Sequence, residues 1–301
     1  MNDITAIIVA KDNPEHIFET VESTKGIADE TVILDIGLHQ EIIEKLKDYK
    51  NLRIIPINKD VPYVELIREE SKSYAKTSYV LFLDPDEVIP QTLAQTILKE
   101  YKKYDYISMP RKNIIFGKWM EHARWWPDHQ IRLFKKDSVI WHQKLHAKPT
   151  VHGNRLTLDA QENLAITHHN YENITEYLMK MIRYAKSDAS EKSKTEYQLS
   201  DGLKDGLNEF ISRYFAGEGH KDGMHGFVLS FLQMFYYFLV YIYIWEKSRY
   251  TNVENNAMED SHNFFMRGLY EVNHWIAKKN LSKRSGSFKN FLINRLIKPL
   301  L

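Results

Sequence analysis

Tyr79-Val80-Leu81-Phe82-Leu83 runs without a break into Asp84-Pro85-Asp86-Glu87, and this stretch limits the possible folds more than any other. Five consecutive apolar, β-favouring residues suit a strand covered on both faces. Three carboxylates then crowd into four positions, with Pro85 stiffening the link between the first two. An apolar core does not accommodate three adjacent negative charges, so they face water, a cation or both. Hard divalent ions take oxygen ligands and commonly join one or two carboxylates to a substrate's phosphates. Asp84 and Asp86 are therefore candidate ligands of a metal–diphosphate, with Glu87 beside them as a supporting or helix-start charge. An acidic strand-end turn without a ligand is the plain alternative, because D-x-D is a short motif. Its place at the end of a buried strand favours the functional reading.

The surrounding hundred residues repeat one pattern. Ile4 to Ala10, Thr31 to Leu34 and Leu52 to Ile57 read as buried strands. Helices are expected after Pro14, around Ile42-Ile43-Leu46, from Val64 to Ala75 and from Thr92 to Tyr101. A further strand is expected at Tyr106-Ile107-Ser108-Met109. Alternation with short links predicts an α/β unit with a mostly parallel sheet. Such sheets bind ligands beyond the carboxyl ends of their strands, where Asp12, Asp35 and Asp84 are expected. Asp35 suits either a ribose hydroxyl or base N–H, or a cap on the next helix. The chain holds no G-x-G-x-x-G and no Walker loop, so phosphates would be held by metal and side chains.

Between Arg111 and Pro149 lie four of the six tryptophans, interleaved with His, Arg and Asp. Rings beside polar groups suit a sugar, and a small aromatic core over the sheet edge is the alternative. Gln130-Ile131-Arg132-Leu133-Phe134 reads as a strand with Gln130 and Arg132 on one face. His142 and His146, or His168 and His169, do not form a helical zinc motif, and hydrogen-bonding roles are expected for them.

The second half is helical. A stripe of Tyr171, Ile174, Leu178, Met181 and Ala185 predicts one helix and 203–215 another, broken by Gly217, Gly219 and Gly223. Residues 224–245 carry no formal charge with His225 neutral, and their length would span a bilayer. Their Tyr and Trp content is closer to that of a membrane interface. A basic amphipathic helix is expected at 287–301, suited to an anionic membrane surface. The aromatic helix is then expected to lie in the membrane plane; packing within the protein or against a second copy, and a true span, are the alternatives. Domains are thus expected at 1–170 and 171–301. Net charge is +1 and no zinc-finger or RNP signature is present, so nucleic acid is not an expected partner. The absence of cysteine excludes disulfides and thiolate chemistry and is compatible with a reducing cytoplasm. The N-terminus enters a strand directly and does not read as a signal peptide.

Taken together, these residues resemble family 2 glycosyltransferases of the GT-A fold, and more narrowly lipopolysaccharide-core β-1,4-glucosyltransferases. The matching stretches are Ile4–Asn13, Ala28–Asp35, Leu81–Glu87 and Trp126–Phe134, with Asp222-Gly223 and Gly226-Phe227 further on. The resemblance implies inverting transfer of a sugar from a nucleotide diphosphate, a UDP-sugar, with Mg²⁺ or Mn²⁺. Asp35 would take the nucleotide, and Asp84 and Asp86 the metal and diphosphate. The acceptor would be a cell-surface glycan or glycolipid, met at the cytoplasmic face of the membrane. Inversion needs a base at the acceptor hydroxyl and a Lewis acid at the leaving phosphate. Asp128 is the candidate base, with a turn or capping role as its alternative. His146 competes with it; Arg132 and Lys144 are candidates to steady the departing diphosphate. Two departures from the family stand out. Asp35-Ile36-Gly37-Leu38-His39-Gln40 replaces a serine- and aspartate-rich run, and Ala147 follows His146 where relatives often carry Glu. A nucleotidyltransferase, which normally wants a glycine-rich basic loop that Ala10-Lys11-Asp12-Asn13-Pro14 is not, and a catalytically silent relative that binds a glycan or scaffolds a membrane complex are the alternatives.

Overall fold

The computed structural model describes residues 2–61, 63–143, 148–192, 196–251 and 257–279. The chain divides into two compact units, Met1–Asn173 and Ile174–Leu301.

The first unit is α/β. Its strands are β1 (Ile4–Asp12), β2 (Glu30–Leu38), β3 (Leu52–Pro56), β4 (Tyr79–Leu83), β5 (Glu87–Val88), β6 (Tyr106–Ile115), β7 (Lys118–Trp119), β8 (Asp128–Lys135), β9 (Val139–Ile140), β10 (Thr150–Val151), β11 (Arg155–Thr157) and β12 (Ile166–Tyr171). Helices α1 (Ile17–Thr24), α2 (Gln40–Leu46), α3 (Glu65–Ser71) and α4 (Gln91–Glu100) fill the links of its first half. The main sheet runs β3-β2-β1-β4-β8-β6-β12-β5, and β9 pairs only with β10. Neighbours from β3 to β4 are parallel, whereas β8 enters antiparallel to both β4 and β6. The sheet is therefore mixed and mostly parallel.

Strand alternation explains why both faces are covered. Ile4, Ala6 and Ile8 of β1 join Leu81 and Leu83 of β4 in a cluster under α1, α2 and α4. Ile7, Val80 and Phe82 point the other way, toward Ile67 of α3, Phe134 and Val139. An all-apolar strand is what a two-sided core requires.

Three elements differ from the expectation. β2 does not stop at Asp35 but continues to Leu38, because β1 pairs with it as far as Asp12↔Leu38 across a bulge. Tyr171 belongs to β12, paired with Ile115, so the helix expected from it begins only at Ile174. The stretch from 203 to 215 is α6 (Leu199–Phe210) followed by a wide turn of helix over Ile211–Ala216.

The second unit contains α5 (Ile174–Ser190), α6, α7 (Met224–Lys247) and α8 (Ala257–Lys278). α7 is long and apolar enough to cross a membrane. Its inner face is nonetheless occupied within this unit. Gly202 and Gly206 of α6 lie under the Tyr237 and Met234 carbonyls; a Cβ there would stand 3.2 and 2.6 Å from those oxygens. Gln233 donates to Tyr177 Oη at 2.5 Å, and Tyr236 pairs with Asp188 of α5 at 2.5 Å. The outer face presents Met224, Phe227, Phe231 and Phe235, all exposed. The tail helix expected at 287–301 lies outside the described residues.

Candidate active site

The order of β1 to β4 places a crevice before any side chain is considered. β1 leads through α1 to β2 on one side, while β4 lies on the other side of β1. Open α/β sheets bind ligands at such a reversal, beyond the strand carboxyl ends. β1 ends there in Asp12, in a left-handed conformation at φ 59°, and Asp84 directly follows the last residue of β4, Leu83. A narrow cleft beside Asp84 is lined by Ile7, Val9, Val64, Arg68 and Phe82 and encloses about 10 Å³, room for about one water. A wider hollow of about 590 Å³ opens beside Glu22, Lys25, Thr31, Asp48 and Tyr49, by the starts of β2 and β3 and away from these carboxylates.

The turn after β4 closes on itself. Glu87 N–H donates to the Asp84 carbonyl at 3.0 Å, and Asp84 N–H donates to Glu87 Oε2 at 3.1 Å. Glu87 is fully buried, which no lone carboxylate tolerates. Its compensation comes from β8 and β6. Arg132 Nη2 donates to Glu87 Oε1 and to Asp84 Oδ2, both at 2.6 Å, and Arg111 Nη1 reaches Glu87 Oε1 at 3.1 Å. Arg68, stacked 4.9 Å from the Trp141 ring, approaches Asp84 Oδ1 at 3.4 Å. Burial works against charge on Asp84, yet Arg132, Arg68 and Arg111 hold its carboxyl far below the usual range. Burial likewise opposes charge on Arg132, and Asp84 with Glu87 raises its pKa well beyond the ordinary arginine value.

Strand register assembles the rest. Arg111 lies opposite Asp128, Asn113 opposite His168, and His168 opposite Glu87. One row of polar groups therefore crosses β8, β6, β12 and β5. The Asn113 amide donates to the Trp125 carbonyl at 2.8 Å and to Asp128 Oδ2 at 3.2 Å. His168 Nδ1 lies 2.6 Å from Asn113 Oδ1, and its Nε2 lies 3.7 Å from Asp86 Oδ1.

Three of the expected site residues are held by protein partners in this geometry. Asp128 opens β8 instead of sitting on a turn, and its oxygens are taken. Arg111 Nε and Nη2 reach Oδ2 at 2.9 and 2.5 Å, and Gln130 reaches Oδ1 at 2.7 Å. Burial raises its pKa, but Arg111, Gln130 and Asn113 outweigh this and lower it. A carboxylate so stabilised is a weak proton acceptor, and these contacts give Asp128 a bracing role between β8 and β6. Arg132 is 2% exposed and its Nη2 pairs with both Asp84 and Glu87, so it braces the turn. Asp35 Oδ1 accepts from the Gly37 and Leu38 amides at 2.9 and 2.7 Å, inside β2, while the N-cap of α2 is His39, so Asp35 is not the helix cap of the alternative reading. Lys144 and His146 lie outside the described residues. Trp141 packs 5.9 Å from Phe82 and 6.0 Å from Phe134, as the aromatic core over the sheet would have it.

Arg68, Arg111, Asn113 and His168 are participants that motif reading missed. Arg111 and Asn113, two apart on a strand, necessarily share a face, and that alternation was the available signal.

Asp84 and Asp86 remain 27% and 24% exposed, unlike Glu87. Their hard oxygens, with four carboxylates facing three guanidiniums in the cluster, fit a divalent cation of the Mg²⁺ or Mn²⁺ type.

No family model matches the chain. Among solved structures it is similar to S. aureus TarS 1-349, with 12% identity, a TM-score of 0.40 and coverage of 84% of this chain and 93% of that one. The same TarS fragment in complex with UDP-GlcNAc aligns with 14% identity over the same shares, again at a TM-score of 0.40. The bifunctional IspDF from Campylobacter jejuni aligns at 12% identity and a TM-score of 0.39, over 57% of this chain and 53% of that one. Likenesses of this degree leave the family open.

Proposed function

We propose that the chain is an inverting glycosyltransferase of family 2, moving a sugar from a nucleotide diphosphate donor, a UDP-sugar, to a cell-surface glycan or glycolipid. The observation that carries this reading is the pair Asp84 and Asp86, part-exposed at the strand-order reversal between β1 and β4. Asp84 and Asp86 would hold Mg²⁺ or Mn²⁺, which when bound neutralises the leaving diphosphate. Glu87, Arg132 and Arg111 fix the turn that carries both aspartates. Asp12 and Asp35, at the end of β1 and in β2 beside it, would meet the nucleotide. Calorimetric titration with UDP-sugars is the test: binding that needs Mn²⁺ is expected, and equal binding in EDTA removes the metal–diphosphate role.

A second reading is favoured by one observation. The guanidiniums already paired with Asp84 are what a silent, glycan-binding relative would retain as a structural brace. Release of nucleotide on turnover separates the two readings.

We further propose attachment to a membrane surface, at its cytoplasmic face. Phe227, Phe231 and Phe235 recur every four residues on the outward side of α7 and are 41%, 47% and 38% exposed. That stripe suits a helix lying in the interface with its inner face on α5 and α6. Replacing Phe231 and Phe235 together with serine is expected to weaken co-sedimentation with anionic vesicles about tenfold or more. Unchanged co-sedimentation, with loss of a dimer in sedimentation equilibrium, would assign the stripe to a homodimer contact instead.

A further inference from the structure

A second group of metal-capable side chains lies within the first unit, apart from the Asp84 and Asp86 carboxylates. His16 stands at the start of α1, while His169 and Glu172 come from β12 and the residues just after it. One ligand atom from each of the three lies within 4.8 Å of the other two. His16 Nε2 is 2.9 Å from Glu172 Oε1, and the two imidazoles are stacked with centroids 3.8 Å apart and planes 16° from parallel. The other ring nitrogen of His16, Nδ1, is buried without a hydrogen bond, with the Glu19 carboxylate 3.5 Å away.

We propose that His16, His169 and Glu172 form a zinc site, with Glu19 as the outer carboxylate that orients the His16 ring. Two imidazoles and one carboxylate are a donor set that suits Zn²⁺, whereas the all-oxygen pair Asp84 and Asp86 suits a harder ion. The two sites are thus separated by ligand chemistry as well as by residue. Donors around a four-coordinate zinc stand about 3.3 Å apart. His16 Nε2 and Glu172 Oε1 already stand near that spacing at 2.9 Å, and the two imidazoles would turn out of their stack to aim both nitrogens at one ion. Carboxylate–histidine–zinc pairings of the Glu19–His16 kind fix which nitrogen faces the metal. Three protein ligands leave a fourth position to water or to a ligand.

The site's placement gives it a consequence. His169 N–H donates to the Asp86 carbonyl at 2.9 Å, and Thr20 of α1 donates to the Pro85 carbonyl at 3.0 Å. Zinc joining His16 to His169 therefore ties together the two segments that hold the Asp84–Glu87 turn from behind. The site stands whether or not the proposed sugar transfer is correct.

The test uses the whole chain, stripped with EDTA and titrated with Zn²⁺, and with Co²⁺ as an optical probe. A single zinc per chain and the intense visible bands of four-coordinate Co²⁺ are expected. His16→Gln and Glu172→Gln are each expected to weaken zinc binding by more than the roughly 10–100-fold that follows loss of an outer partner. Glu172 is exposed, so its replacement spares the fold if His16→Gln does not. Asp84→Asn is expected to leave zinc affinity in place. Absence of zinc binding, affinity unchanged in Glu172→Gln, or affinity lost in Asp84→Asn alone would overturn the assignment.

Discussion

Arg132→Ala is expected to destabilise the first unit by about 3–5 kcal/mol, the cost of stranding a buried charge partner. Glu87 has no exposure and takes its shortest hydrogen bond from Arg132, which also holds Asp84 Oδ2 at 2.6 Å. The alanine removes one cation and leaves two carboxylates to share Arg111 and Arg68. Urea unfolding followed by circular dichroism measures the loss. Adding Glu87→Gln to Arg132→Ala should recover part of it, because the stranded charge is then gone. The pH dependence has a defined sign. Asp84 is held below its unfolded value, so its contribution is present above about pH 4 and fades as the pH falls through the folded value. The penalty of Arg132→Ala is therefore largest at neutral pH and shrinks in acid. An unchanged urea midpoint at pH 7 would mean that water, and not Arg132, balances Glu87.

Asp84→Asn is expected to cut nucleotide-sugar turnover by about 10²–10³-fold and to abolish Mn²⁺-dependent nucleotide binding. Asparagine keeps the shape of the side chain and the Arg132–Glu87 bond, so the fold should survive. What it loses is the negative oxygen that a divalent ion requires. The reading is clean only if unfolding of the variant stays close to that of the parent. Full turnover in a folded Asp84→Asn protein would move the metal elsewhere or remove it from the reaction. Metal-dependent binding without turnover in the parent would instead favour the silent relative.

Much of the first unit is legible in the sequence because its signals are local. Five apolar residues at β4, Pro14 ahead of α1 and the carboxylates at strand ends each speak for their own surroundings. The polar row across the sheet is different in kind. Arg111, Asn113, Asp128, Arg132 and His168 meet through strand pairings 15 to 55 residues apart in sequence, and no short motif encodes such a meeting. Asp128 shows the consequence: beside Pro127 it read as a base or as a turn residue, whereas its partner Arg111 comes from across the ladder and could not be read from either. Asp35 was visible as a strand-end acid, but the bulge that prolongs β2 past it depends on β1. α8 left a weak trace because Phe264, Val272, Trp275 and Ile276, which pack inward, are interspersed with exposed Met258, Phe265 and Tyr270.

The polar row also bears on how the sheet finds its pairing. The ladder of β8 already carries one irregularity, at Arg132, which puts Ile131 and Leu133 in opposite apolar clusters; sliding the segment before it by one residue would turn Asp128 to the other face and away from Arg111. Apolar patterning alone penalises that slip modestly, since both faces of the sheet are greasy. Unmatched charges in a dry interior penalise it severely. The ion pairs thus act as a proofreading device for strand alignment, whatever chemistry takes place above them.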